Sequence, residues 1–436
     1  MHFAAFFFAV GGWILFAGAG ALVGFRTSSA VTLVIALISG GFAGNVLWQN
    51  VHGETYDAVW SAPPDRPSSL RGKGAWTTGN AIVRVRSDGA IGYGLADGAK
   101  KWAFQAPGAQ VVCAMSESAD RAVGLLAYGR EGAACEDVAA VDLGTGKGLW
   151  TSRVVQTTRT RQPDARGAIA ATGDVAVLPA GKGLRGLDLR TGKARWAWNP
   201  PKGCAFVQGL NNLTASDKAI ALTLWCGSDK YGAAVVDPGT GASRWATRLP
   251  TSAKVETAAV VSADPVVVHT KEGGERGTDQ IVTFTPEGRQ RAAFPTSTGN
   301  GDLEVTRTGF GGKPVSALQV QKDVIVSAVK GNREYSFERD IVGLTLEGRE
   351  LWRVELGGGV NGLFTTSETV AVLNSRTLGD ASQLTVLSIN TGETIQQATL
   401  TMAAPENGLL LAASSYYLIV QDGEESDSAP VTVFHR

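Results

Sequence analysis

Two patterns of apolar residues divide the chain. Phe3 to Phe25 and Ala30 to Trp48 are almost continuously apolar, separated only by Arg26-Thr27-Ser28-Ser29. Each run is long enough to cross ~30 Å of hydrocarbon as a helix, and the break between them fits only a hairpin turn. The pattern predicts two transmembrane helices, about 3–25 and 30–48, within a membrane anchor spanning residues 1–53. After Trp48 the texture changes. Short strand-like runs such as 81–86 and 174–178 follow one another, about four in every ~47 residues, and no amphipathic helix is predicted.

This second region repeats itself. Asp142-Leu-Gly-Thr-Gly-Lys-Gly-Leu-Trp150, Asp188-Leu-Arg-Thr-Gly-Lys-Ala-Arg-Trp196 and Asp237-Pro-Gly-Thr-Gly-Ala-Ser-Arg-Trp245 are its clearest copies. The turn glycines are Gly98, Gly146, Gly192, Gly241, Gly288, Gly348 and Gly392. Tryptophan stands four residues later at Trp102, Trp150, Trp196, Trp245 and Trp352, and is replaced at Ala292 and Gln396. In each copy an apolar strand enters a turn where Gly supplies positive φ and Asp can bond its own backbone, and a further strand leaves.

Four short strands per repeat make a propeller blade. Seven turns account for seven outer strands, yet the runs at 408–413, 416–421 and 430–435 lack one. Tyr56 to Pro63, with Trp60 at the motif position, reads as the missing strand. The expectation is an all-β, eight-bladed β-propeller over residues 54–436, its last blade closed by strand 56–63. A seven-bladed ring is the alternative.

The Asp-x-x-Thr-Gly-x-x-x-Trp pattern resembles the PQQ-like β-propeller repeat, named for the quinoprotein alcohol dehydrogenases, over nearly all of residues 56–436, in a membrane-anchored bacterial form. The resemblance implies that the motif tryptophans dock against the neighbouring blade. Trp60, Trp102, Trp150, Trp196, Trp245 and Trp352 are then structural, each burying on the order of 200 Å².

Location follows from charge and cysteines. Arg26 is the only Lys or Arg before Arg66, so the inter-helix turn is expected in the cytoplasm, with the N-terminus and propeller outside. The alternative is a cleaved signal peptide, although Met1-His2 lacks a basic residue. No Cys follows either run, so a lipoprotein anchor is not expected. Cys113 and Cys135 fall within one blade, as do Cys204 and Cys226. Three pairings are possible, and pairing within blades is the expected one. The second pair centres on the turn at Ala215 and faces across a hairpin, whereas the first needs Cys135 to fold back. Paired cysteines suit an oxidising exterior; four buried thiols in a cytosolic domain are the alternative.

Composition narrows the function. With 40 Lys+Arg against 40 Asp+Glu, the chain lacks the basic excess of a nucleic-acid binder. His2, His52, His269 and His435 show no metal-ligand spacing, and no Gly-x-Ser-x-Gly elbow is present. The glycines at 357–359 read as a turn, and Asp142, Asp188 and Asp237 as turn residues. The resemblance raises PQQ with calcium, but the adjacent cysteines typical of those dehydrogenases are missing, so no cofactor, metal or catalytic residue is expected.

The long segments fall between the second and third strands of a blade or between blades, and so open on one side of the ring. They carry Arg159 and Arg161, Phe310, and Arg333, Tyr335 and Phe337, which mix arginine with aromatics as interface hot spots do. The reading is a non-catalytic, extracytoplasmic binding or scaffolding propeller tethered to the cytoplasmic membrane, whose partner is a protein or an envelope polymer. Its outline resembles the propeller lipoproteins that scaffold outer-membrane β-barrel assembly. A quinoprotein-like oxidoreductase using PQQ, or a sensor of an envelope ligand, are the alternatives.

Overall fold

Apolar stretches such as Val123–Arg130 and Ile220–Trp225 are buried along almost their whole length, as strands covered on both faces must be. The outermost strands, such as Lys100–Gln105 and Ser243–Arg248, alternate exposed with half-buried residues. Together they make twisted four-stranded sheets that stack side by side around an axis. The computed structural model describes residues 54–436 apart from 68, 134, 155–167, 208–211, 228–229, 309–313, 332–338, 376–380, 404, 406–407 and 423–427. The two apolar runs expected as transmembrane helices lie outside the described residues. Among the described residues no helix is long and apolar enough to cross a membrane.

The ring has eight blades. Blade 1 comprises Gly72–Thr77, Ala81–Arg86, Gly89–Gly94 and Lys100–Gln105, from the channel outward. Blades 2 to 7 follow within 110–153, 170–198, 205–248, 255–295, 297–355 and 359–403. Blade 8 takes Gly408–Ala413, Tyr416–Gln421 and Val431–His435 from the C-terminus and Ala58–Ser61 from the N-terminal side. Ala58 pairs with Phe434, Trp60 with Val433 and Ser61 with Thr432. The closing strand is shorter than expected. Glu54–Tyr56 lies instead on blade 7 as an added parallel strand, with Glu54 opposite Ala398 and Tyr56 opposite Leu400. The Tyr56 ring packs against the core between blades 7 and 8, and its hydroxyl meets the Gln396 amide.

Adjacent blades are joined at the rim by one recurring device. The indole Nε1 of Trp102 donates to the Leu143 carbonyl at 3.0 Å, and Trp60, Trp150, Trp196 and Trp352 make the same bond to Leu95, Leu189, Pro238 and Ile389. Each ring lies flat on the next blade's turn glycine. A Cβ on Gly146, whose φ is +72°, would sit 2.4 Å from the Trp102 ring, so only glycine serves there. Trp245 covers Gly288 in the same way.

The two decayed copies have separate explanations. Gly348 is covered by Phe294, two residues beyond the expected position at Ala292. Blade 7 has no turn to dock on, because the third and fourth strands of blade 8 come from opposite ends of the chain. Gln396 therefore stands where tryptophan would have no seat.

Every outer strand carries a one-residue bulge just before the motif position, as between Gly148 and Trp150 or Ala58 and Trp60. The extra residue, unpaired in the ladder, is pushed outward. Near the channel a second belt joins the blades. Trp76 Nε1 donates to the Ser116 carbonyl at 2.9 Å, Ser118 Oγ to Ala171 at 3.0 Å, and the Thr172 hydroxyl to Ser216.

Both cysteine pairs are bonded within their blades, Cys113 to Cys135 and Cys204 to Cys226. With a sequence separation of 22 in each, each bond contributes roughly 3 kcal/mol by restricting the unfolded chain.

Candidate functional site

The antiparallel order of the strands gives the ring two unlike sides. The motif turns and the hairpins between first and second strands share one, here the turn face. The connections between second and third strands and between blades share the other, the loop face. Arg159, Arg161, Arg333, Tyr335 and Phe337 belong to loop-face connections by sequence, whereas Phe310 falls between Thr306–Thr308 and Pro314–Ser316, a hairpin that interrupts the inner strand of blade 6; all six residues lie outside the described residues.

A cavity of about 570 Å³ opens on the loop face where blades 4, 5 and 6 meet. Blade 4 contributes Asn212 and Tyr231, blade 5 Glu256, His269, Lys271 and Asp279, and the entry to blade 6 Thr296, Glu304 and Thr306. Three carboxylates against one lysine make the wall acidic. Its back is rigid: Asn212 Nδ2 donates to the Thr223 hydroxyl at 2.7 Å and to the Ala258 carbonyl at 2.6 Å.

Within this cavity His269 Nε2 stands 2.8 Å from Asp279 Oδ1. Burial pushes the Asp279 carboxyl up, but the bond from His269, the Lys271 charge and Thr296 outweigh it and hold it below its ordinary value. The carboxylate therefore accepts, and Nε2 carries the proton. His269 is 5% exposed, and its Nδ1 has no partner among the described residues. Sequence spacing missed the pair, since the two residues meet only diagonally across adjacent strands, Asp279 lying opposite Lys271 and His269 opposite Ile281. The one available signal was a polar stretch, His269-Thr-Lys-Glu272, in an otherwise apolar strand.

The arrangement can bind cations and hydroxyl groups. Among the described residues no group of three or more His, Cys, Asp and Glu is placed to hold a metal ion. Other conspicuous acids are engaged elsewhere. Glu272, next to Lys271, accepts from the backbone of Ser252, Ala253 and Thr278 and from the Thr278 hydroxyl. Desolvation pushes its carboxyl up, but those donors hold it at about 2. Asp142 Oδ1 accepts from Gly144, from the Thr145 backbone and from the Thr145 hydroxyl, while Oδ2 meets Arg190. Asp188 and Asp237 repeat that turn. Glu117 lies at the turn-face end of the channel, reached by solvent yet walled in by blades, and desolvation pushes its carboxyl up while Thr214 opposes the shift. Thr214 belongs to blade 4 and Glu117 to blade 2, so this contact crosses the channel.

Arg84 is the most deeply buried charge. It is fully covered, and it meets Asp65 at 2.7 Å, the Asp422 carbonyl at 3.1 Å, the Pro430 carbonyl at 3.2 Å and the Gln421 carbonyl. Asp65 also takes Arg86 at 2.8 Å. These groups join blade 1, blade 8 and the segment between closing strand and ring, which makes the cluster a clasp.

The comparisons with known proteins agree with this architecture. A family model described as outer membrane protein assembly factor BamB matches residues 41–201. The crystal structure of BamB from Moraxella catarrhalis superposes with a TM-score of 0.50 at 16% identity, covering 88% of this chain and 98% of that one. The computationally designed Ika8 protein gives 0.53 at 15% identity, with 88% and 100% covered. Sqt1 from Saccharomyces cerevisiae gives 0.50 at 10% identity, with 88% and 99% covered. No curated protein matches the sequence. At these identities the likeness is one of fold. With its repeated Gly and Trp positions and its eight closed blades, the chain is an eight-bladed β-propeller of the PQQ-like kind, whose residues 41–201 match the family model.

Proposed function

We propose that this chain is a non-catalytic binding or scaffolding propeller, held on the outer side of a cytoplasmic membrane by residues 1–53, that engages a protein partner through its loop face. The observation that carries this reading is the acidic cavity of blades 4–6, which opens on the side where the long connections gather. A well-formed cavity with a few convergent polar groups is the default place to look for a binding site. The motif residues, by contrast, are occupied in joining blades. The matched family model describes an assembly factor, which supports scaffolding in kind but does not identify the partner. An envelope polymer is the other occupant compatible with a cavity that receives hydroxyl groups. The reading includes no PQQ.

Cross-linking of intact cells with a lysine-reactive reagent, followed by mass spectrometry, tests it. Recurrent links from Lys271 or Lys330 to one other protein support the scaffold, and Glu256→Lys should abolish them. Links confined to turn-face lysines such as Lys147 and Lys193 would place the working side opposite and overturn the assignment. Tight binding of PQQ by the purified protein would replace it with an oxidoreductase.

A further inference from the structure

The bulge in each outer strand puts one residue per blade on the rim beside the turn face. On blades 1, 3, 4 and 5 that residue is Lys101, Arg195, Arg244 or Arg291, and each is paired with a carboxylate: Asp97, Asp174, Asp237 and Glu347. On blades 6, 7 and 8, which are consecutive, it is Leu351, Ile395 and Val59. These three are 49%, 60% and 39% exposed, and only one other large apolar side chain, Trp225, is as exposed among the described residues. Three of four such residues thus share one structural position on one arc of the ring. On blade 2 the equivalent Leu149 is packed into a core cluster instead.

That arc is where residues 1–53 leave the ring. Glu54 pairs with Ala398, three residues along the strand from Ile395, or ~10 Å at the usual strand rise. The pairing is parallel, so the end of the strand from which residues 1–53 depart is the end nearer Ile395. Between Trp48 and Glu54 the chain has only residues 49–53, which reach at most about 20 Å when fully extended. A span ending at Trp48 therefore holds the blade 7 rim close to the bilayer, and the apolar arc surrounds that point.

We infer that the turn-face rim of blades 6–8 rests on the lipid surface, with Val59, Leu351 and Ile395 in the boundary between headgroups and acyl chains. The loop face and its cavity then point away from the bilayer, toward partners. The inference rests on the reading that residues 1–53 anchor the chain.

Photo-crosslinking of the full chain tests it. p-Benzoylphenylalanine replaces Val59, Leu351 or Ile395 in one set, and Lys101, Arg195 or Arg244 in another. Each protein is reconstituted into vesicles of phosphatidylethanolamine and phosphatidylglycerol, floated on a density gradient and irradiated. Phospholipid adducts are expected at the first three positions, with only background at the others. Background at all six positions, or adducts at all six, in protein that floats with the vesicles overturns the rim contact and leaves the anchor standing. Failure of the chain to float overturns the anchor, and the rim contact with it.

Discussion

The hydroxyl of Thr283 donates to the carbonyl of Leu346 at 2.8 Å, both groups being buried between blades 5 and 6. At five other junctions the carbonyl in the equivalent place, one residue into the turn, receives an indole N–H. Thr283 stands in register with Ala292, where the motif tryptophan is missing. Phe294 restores the ring over Gly348 but cannot donate, and Thr283 supplies the lost donor from the neighbouring strand. The tryptophan's two roles, covering a glycine and satisfying a carbonyl, are here divided between two residues.

Thr283→Val should therefore destabilise the ring by about 1–3 kcal/mol, the cost of stranding a buried carbonyl. Thr283→Ser should retain most of the stability. Equilibrium urea unfolding of the two variants measures the difference. Equal stability of Val and wild type would show that the Leu346 carbonyl is satisfied some other way.

The ring is closed by Ala58–Ser61, with the Trp60 indole donating to Leu95 at 2.8 Å. Trp60→Ala removes a ring and a bond from the strand that closes blade 8 by pairing with the C-terminal strand, and should cost ~3–5 kcal/mol. Deleting residues 54–63 should cost more, since the outer strand of blade 8 is lost entirely. Thermal unfolding is the readout. A melting temperature unchanged by the deletion would sink the two-ended blade.

Much of this ring was legible in the sequence because the blade motif is local. Gly and Trp lie four residues apart, and a single short window reports both the turn and the dock. The copy at Ala292 looked decayed because its compensation, Thr283 and Phe294, lies in a different strand and in a different register. Gln396 was readable in principle: a blade sewn from both ends has no third-to-fourth turn, so the preceding blade needs no tryptophan. The cavity was not readable. Asn212, Glu256, His269 and Glu304 come from three blades, and nothing in their spacing announces that the strands meet. The rim pattern lay between these cases. Val59, Leu351 and Ile395 each precede a motif position, but only the bulge shows that this residue turns outward.

The Arg84–Asp65 pair ties the closing segment to blade 1 and should dominate the electrostatics of closure. Burial lowers the guanidinium pKa, and Asp65 works against that shift. Arg84→Met removes the second donor from the carbonyls of Asp422 and Pro430, which keep the backbone N–H groups of Gly72 and Gln421, and takes away half of Asp65's pairing; leaving that buried carboxylate under-compensated should cost ~3–5 kcal/mol. In the double variant Arg84→Met with Asp65→Leu, part of that loss should return, because the Asp65 carboxylate is then no longer left buried with half its partners gone. Denaturant unfolding of the single and double variants gives the coupling. Strict additivity would show that the two charges act independently.

Glu272 sets an acid limit on the loop-face side of blade 5. Its carboxyl is held at about 2, down from 4.5, by the donors of Ala253, Thr278 and Ser252 acting against desolvation. A folded pKa below the unfolded one means that the ionised form is favoured in the folded state. The stabilisation is fully present above pH ~4.5 and is lost as pH falls through 2. Its oxygens are covered by flanking loops rather than by the blade interior, so solvent screening reduces the full linkage value, and about 1–2 kcal/mol is expected. Glu272→Gln keeps the shape and removes the charge. The variant should unfold more easily than wild type at pH 6, and the gap should close steadily between pH 4.5 and pH 2. The bonds of Glu272 fix the ends of the loops beside Lys271, so the same variant should also weaken cross-linking through Lys271 at pH 6. A stability gap that persisted unchanged at pH 2 would show that Gln fails through packing rather than charge, and would remove the carboxylate from the account of the cavity's shape.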